Sequence, residues 1–118
     1  MTITVYGIKN CSTVKKARAW LDARGVDYSF HDYKASGIDS KHLQRWCDEF
    51  GWETLLNRAG TTFRKLAEAD KQGLDANKAS ALMLSQPSLI KRPVLDIDGR
   101  LLVGFKPELY EDATHAIR

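Results

Sequence analysis

The chain has 118 residues, 43% hydrophobic and 28% charged. That composition suits one packed domain and argues against wholesale disorder. Apolar runs such as residues 101–103 fall far short of the ~18–20 residues a membrane-crossing helix needs, and the first ten residues lack the charged start and apolar stretch of an export signal. A net charge of +3 is too small to point to direct nucleic-acid binding, although converging cations would suit an anionic small ligand. Cys11 and Cys47 are the two cysteines, too few for a secreted disulfide scaffold. The expectation is a cytoplasmic monomer in a reducing compartment, where a thiol serves either packing or chemistry.

Residues 2–6 alternate Thr, Ile, Thr, Val, Tyr, the period of a strand. Gly7–Asn10 breaks the pattern. Val14, Ala17, Trp20 and Leu21 then recur at helical spacing until Gly25, a residue type suited to the position just past a helix end. Val26, Tyr28 and Phe30 alternate with polar residues, predicting a second strand. A helical crossover of this length predicts that the two strands run parallel.

Asp39-Ser40 can cap a helix bearing Leu43, Trp46, Cys47 and Phe50 at i, i+3, i+4 and i+7. Gly51 interrupts it, and residues 52–56 form a second short helical piece. The polar, basic stretch 57–65 reads as partly loop. Asp75 or Asn77 can start a further helix with Ala79, Leu82 and Met83 inward, stopped near Pro87. Val94, Leu95 and Ile97, then Asp98-Gly99, then residues 101–103 carry a hairpin signal. Pro107 suits a first helical position, with Leu109, Tyr110, Ala113 and Ile117 on the apolar face of a last helix. The predicted order is therefore β-α-β, a helical block over about 39–86, then β-β-α. The fold class is α/β: a mixed four-stranded sheet with helices on its faces.

Cys11 falls between a strand end and a helix start. First-turn N–H groups and the positive end of the helix dipole stabilise an anion there. A thiol so placed has more thiolate near neutral pH, and the thiolate is the nucleophile. Lys9, Lys15 and Lys16 add positive field. Position 14, where a dithiol motif would carry its second cysteine, is Val14, so a mixed disulfide on Cys11 needs an external thiol to resolve it, with glutathione the obvious cytosolic candidate. Cys47, on an apolar stripe, reads as a small packed hydrophobe. Arg92 precedes Pro93 at the start of the third strand, where a Pro loses no ladder bond. Arg58, Arg64, Lys65, Arg92 and Lys106 are either ordinary solvated surface charges or share one possibility, convergence on the Cys11 thiolate and an anionic partner. His31, His42 and His115 show no metal-ligand spacing, and no metal is expected.

Four ordered segments carry a resemblance: residues 6–17 (Tyr-Gly-Ile-Lys-Asn-Cys-Ser-Thr-Val-Lys-Lys-Ala), 57–66 (Asn-Arg-Ala-Gly-Thr-Thr-Phe-Arg-Lys-Leu), Arg92-Pro93-Val94 and Gly104-Phe105-Lys106-Pro107. Together they resemble the ArsC-related family, which includes glutaredoxin-coupled arsenate reductases and Spx-type transcriptional regulators. The resemblance is greatest to its small YffB-like branch, regarded as glutathione-dependent thiol reductases. It implies a thioredoxin-like fold with an inserted helical subdomain, the core covering about 1–38 and 87–118. It implies that Cys11 is the catalytic thiol and that Pro93 is a cis proline beside which a thiol peptide pairs with backbone. Arg92 matches an arginine of the oxyanion or thiol-adduct site, and Lys106 stands where a second arginine falls. Lys9, Arg58, Arg64, Arg92, Pro93 and Lys106 are the candidate glutathione- or anion-binding residues. The implied activity is single-cysteine thiol–disulfide reduction with glutathione as co-substrate and a thiol, a disulfide or a glutaredoxin as partner. The alternatives are an RNA polymerase-binding regulator of the Spx type and an arsenate reductase. Gly7-Ile8-Lys9 replaces the His-Asn-Pro-like run of the arsenate reductases, and Val14 replaces the second cysteine of the Spx switch.

Overall fold

The computed structural model describes residues 2–115. Its strands are β1 (Ile3–Gly7), β2 (Ser29–Asp32), β3 (Val94–Ile97) and β4 (Arg100–Val103). Its helices are α1 (Ser12–Ala23), α2 (Tyr33–Ser36), α3 (Ser40–Phe50), α4 (Trp52–Leu55), α5 (Thr61–Arg64), α6 (Glu68–Lys71), α7 (Ala76–Ser85) and α8 (Pro107–His115), with a 3-10 turn at Pro87–Leu89. The chain divides into two units, Met1–Ala35 with Arg92–Arg118, and Ser36–Lys91.

The first unit holds one sheet in the order β2-β1-β3-β4. β1 runs parallel to β2 and antiparallel to β3, and β3 pairs antiparallel with β4. With α1 as crossover and α8 closing the chain, this is the mixed four-stranded sheet of a thioredoxin-like fold. Local chemistry explains most of it. Past α1, Gly25 takes φ +66° and donates its N–H to the Asp22 carbonyl, while Val26 N–H reaches the Leu21 carbonyl. This paired closure satisfies carbonyls a helix end would otherwise leave open, in a conformation glycine adopts without steric cost. In the β3–β4 hairpin Asp98 and Gly99 both have positive φ (49° and 101°), the two-residue turn whose twist matches the flanking strands. Ile3, Val5, Ala17, Leu21, Leu95 and Ile97 belong to the buried cluster of this unit, the inward residues of period-2 strands meeting the 3.6-period face of α1.

Two expectations need correction. The second strand is shorter than the alternating pattern suggested: β2 begins at Ser29, and Val26 is buried in the core from the connection ahead of it. Pattern reported burial, but pairing with β1 begins only where Ser29 meets Thr4. On α8, Tyr110, Ala113 and Thr114 face inward, while Leu109 is 41% exposed. The inward stripe is set by Tyr110, whose ring packs edge-on against Trp20 and Phe105 and whose hydroxyl donates to the Gly104 carbonyl. Ile117, assigned to the same stripe, lies outside the described residues.

The second unit is helical. Asp39 caps α3 by accepting from His42 N–H at 2.8 Å, and Asp75 caps α7 by accepting from Lys78 N–H at 2.8 Å, each satisfying an orphan first-turn donor. Leu43 and Trp46 of α3, Leu55 of α4, and Ala79 and Met83 of α7 are buried. Gly51 ends α3 at φ +84°. The stretch 57–65, read as partly loop, contains the single turn α5. The α6 turn was not anticipated; Lys78 Nζ holds its end by donating to the Ala69 and Gln72 carbonyls.

Candidate active site around Cys11

β1 delivers the chain to the site. Gly7 ends it so close to α1 that a Cβ there would stand 2.8 Å from Val14 Cγ2. Glycine therefore lets the strand end and the helix start approach, with residues 8–11 forming a tight connection. Cys11 N–H donates to the Ile8 carbonyl (3.2 Å), and the Cys11 carbonyl accepts from Lys15 N–H (2.9 Å) as the first bond of α1. Cys11 is thus the N-cap residue, in extended conformation (φ −97°, ψ 128°), and partly exposed.

Partial burial by itself would raise the Cys11 thiol pKa. It is outweighed: the N–H of Val14, the Arg92 guanidinium and the N–H of Thr13 all favour the thiolate, and the pKa lies below the ordinary thiol value. The sulfur makes no close capping hydrogen bond; these first-turn amides act on it as oriented dipoles. Cys47 behaves oppositely. Burial pushes its thiol up, against the Ser80 hydroxyl 4.0 Å from its sulfur. The two cysteines therefore differ in the direction that separates a nucleophile from a packing residue.

Arg92 stands two residues ahead of β3, and its Nε is buried. The Arg92–Pro93 peptide bond is cis. The Pro93 carbonyl accepts from Gly104 N–H at 2.8 Å, which ties this corner to the end of β4. Two further residues enter that the motif reading did not single out. Tyr33 is fully buried, and its phenol is hydrogen-bonded to Arg92. Burial raises the phenol's pKa, although Arg92 pulls the other way. Asp32 bridges two connections: Oδ2 accepts from Lys9 N–H (3.2 Å), and Oδ1 accepts from Lys34 N–H (2.9 Å) and Ala35 N–H (3.2 Å). Its slight burial disfavours the charge, but the amides of Ala35, Lys9 and Lys34 prevail, and its carboxyl pKa is lowered. An Asp ahead of a short helix is a readable capping signal. Its bond to Lys9, 23 positions away, is not.

A cavity of about 410 Å³ opens beside the connection, lined by Ile8, Lys9, Asn10, Asp32, Lys34 and Ala35. Lys9 and Lys34 both line this cavity, whose lining does not include Cys11 or Arg92. Lys106 is exposed in the same unit; its carbonyl starts α8 by accepting from Leu109 and Tyr110 N–H. Arg58 and Arg64 belong to the other unit. Arg58 lies over the Trp52 ring, 5.3 Å from its centroid, and Arg64 donates to the Ala59 carbonyl at 3.0 Å. Among the described residues no group of three or more His, Cys, Asp and Glu could hold a metal ion, and no helix is long and apolar enough to cross a membrane.

A low-pKa thiol at a helix N-terminus, with a cis proline and its preceding arginine just ahead of β3, defines a candidate thiol-chemistry site on a thioredoxin-like fold. Residues 6–113 match the model of the ArsC family, and the chain belongs to that family. A solved structure titled YFFB protein is 66% identical, covers 95% of this chain and 98% of its own, and superposes with a TM-score of 0.92. An arsenate reductase (ArsC) related protein from Brucella melitensis is 59% identical over 95% of this chain and 93% of its own, with a TM-score of 0.75. An uncharacterized protein of Haemophilus influenzae is 44% identical, covering 94% of this chain and 97% of its own length. The global transcriptional regulator Spx of Streptococcus pyogenes is 28% identical, covering 90% and 80%.

Proposed function

We propose that this protein is an oxidoreductase, a glutathione-dependent thiol–disulfide reductase that works through one cysteine, Cys11. The observation that carries the reading is the Cys11 sulfur, held toward thiolate by first-turn amides and the Arg92 guanidinium, with no second cysteine at position 14 to resolve it. In the first step the Cys11 thiolate attacks the glutathionyl sulfur of a mixed disulfide R–S–S–G. A Cys11–S–S–G bond forms, the substrate S–S bond breaks, and RS⁻ leaves and takes a proton from water. In the second step the thiolate of free glutathione, or of a glutaredoxin, attacks the glutathionyl sulfur on Cys11. Oxidised glutathione (or the glutaredoxin mixed disulfide) departs, and Cys11 returns as thiolate. Net, R–S–S–G and one thiol become R–SH and a new disulfide: the R sulfur gains one electron, the incoming sulfur loses one, and the glutathionyl sulfur ends as it began.

Glutathione carries two carboxylates, and the site offers cations to meet them. Lys9 and Lys34, which line one cavity, meet one of them in this reading, by charge-assisted hydrogen bonds. Arg92 meets the reacting sulfurs, and the backbone beside Pro93 aligns the peptide. Lys106 is a further carboxylate contact in this reading. Incubation with oxidised glutathione followed by intact-mass and peptide analysis tests it. One glutathione adduct confined to Cys11 is expected, with none in Cys11→Ser; an adduct on Cys47 alone, or none at all, rejects the assignment.

The likeness to a global transcriptional regulator favours a second reading, an Spx-type protein that docks on RNA polymerase. Val14 deprives a disulfide-gated version of its second thiol. Immobilised protein is expected not to retain purified RNA polymerase; stoichiometric retention would move the function to this reading. Arsenate reduction is the weaker third reading, since Gly7-Ile8-Lys9 precedes the cysteine where the arsenate reductases have a His-Asn-Pro-like run.

A further inference from the structure

Asp32 has no part in the family motifs or in the proposed reaction, yet two connections meet on its carboxylate. We propose that Asp32 is a positioning residue: its side chain extends the β1–β2 pairing past the last backbone pair and so holds the turn that presents Cys11 at the start of α1. The inference rests on Cys11 being the reacting thiol.

The backbone ladder between β1 and β2 ends where Gly7 stands opposite Asp32. Beyond it the chain makes a turn, closed by Cys11 N–H donating to the Ile8 carbonyl at 3.2 Å, with Lys9 and Asn10 as its central residues. The hydrogen bond that closes such a turn uses the amide of its fourth residue, which leaves Lys9 N–H to be met from outside. Asp32 Oδ2 meets it at 3.2 Å. The other oxygen, Oδ1, accepts from Lys34 N–H (2.9 Å) and Ala35 N–H (3.2 Å) in α2. Those two bonds are the local capping a short acidic side chain makes ahead of a helix, and they fix the carboxylate's orientation. The oxygen facing Lys9 is therefore aimed before any substrate arrives. Both flanks of this clamp line one cavity: Ile8, Lys9 and Asn10 from the turn, and Asp32, Lys34 and Ala35 from the β2–α2 corner.

Release of Lys9 lets the turn open. Cys11 then spends less time in the extended N-cap conformation (φ −97°, ψ 128°), where first-turn amides stabilise its thiolate. Charge and position act here in opposite directions. A carboxylate that worked only as a charge would disfavour a nearby thiolate, and its removal would leave the Lys9 and Lys34 ammoniums less compensated. Alkylation below the thiol range would then speed up. A positioning carboxylate gives the reverse sign.

Asp32→Asn and Asp32→Ala separate the two jobs. Asn has one acceptor oxygen, which the two α2 amides take, and its NH2 group cannot accept from Lys9. Ala keeps neither bond. The readout is the rate of Cys11 alkylation by iodoacetamide against pH, with Cys47→Ser as the common background. Iodoacetamide needs no glutathione, so failure of the glutathione reading leaves this test intact. At pH 6.5 both variants are expected to react about three- to tenfold more slowly than the parent, the range one hydrogen bond spans, and to match it above pH 10. Asp32→Ala is expected to lower Tm further than Asp32→Asn, because it alone lacks the cap. Faster alkylation in Asp32→Asn overturns the proposal in favour of a plain charge effect. Unchanged alkylation in Asp32→Asn, with slowing only in Asp32→Ala, overturns it in favour of the cap. Amide hydrogen exchange on the unmodified protein keeps the test open if a variant fails to fold, and it reports the bond to Asp32 whether or not Cys11 is the reacting thiol. The Lys9 amide is expected to exchange at least about threefold more slowly than in an unstructured peptide of the same sequence; exchange at the peptide rate overturns the clamp.

Discussion

Replacing Cys11 with Ser is expected to lower turnover of a glutathionylated substrate by about a hundredfold or more, to the uncatalysed background, because a serine hydroxyl supplies no anion near neutral pH. Cys47→Ser is expected to keep turnover within about twofold of the parent. The reason lies in the two environments. Cys11 has oriented amides and a guanidinium favouring its charge, whereas burial drives the Cys47 thiol toward its neutral form. Coupled assay of oxidised glutathione release, run on both variants with purified glutathionylated peptide, checks the pair. Retained turnover in Cys11→Ser removes the mechanism entirely.

Arg92→Met should produce the second-largest effect, and one with a defined pH signature. The guanidinium favours the thiolate both as a hydrogen-bond donor and as a charge, so its loss moves the Cys11 midpoint upward. The deprotonated sulfur is the reactive species. Alkylation and turnover therefore fall where the parent is already ionised and the variant is not, below the ordinary thiol range, and the two profiles meet at high pH. A charged hydrogen bond is worth ~1.5–3 kcal/mol, which translates to a slowing of about tenfold or more near pH 6.5. Arg92→Lys is expected to recover only part of it, since an ammonium is a point charge and cannot present one edge to the sulfur and another to Tyr33. A stability signature runs in the same direction. The folded-state pKa is depressed, so the contribution is fully present above the unfolded thiol value and is lost as pH falls through the folded value. Chemical denaturation at pH 6 and pH 9 on the Cys47→Ser background, with and without Arg92, measures that difference.

Val14 at position 14 has a consequence for what the site can do alone. A dithiol site closes its own disulfide and needs no partner for release; on the mechanism proposed above, this one holds its adduct until a second thiol arrives. In the same proposal, Lys9 and Lys34 on one cavity suit a resolving thiol that is itself anionic.

What the sequence determined by itself is local. Gly25 past α1, Asp39 and Asp75 ahead of α3 and α7, Asp98-Gly99 in the hairpin and Pro107 opening α8 each act within a few residues of themselves, through a positive φ, a captured amide or a preset φ. The position of Cys11 between strand and helix belongs to the same class. The tertiary structure alone decided the rest. Leu109 has the right hydropathy for the core yet faces solvent, because Tyr110 is the residue that meets Trp20 and Phe105. Tyr33 and Asp32 gained their roles from partners far along the chain, Arg92 at 59 positions and Lys9 at 23. Periodicity records which side chains leave water, but a hydrogen bond needs two groups within about 3 Å of each other, and only the pairing of β1 with both β2 and β3 brings those segments together.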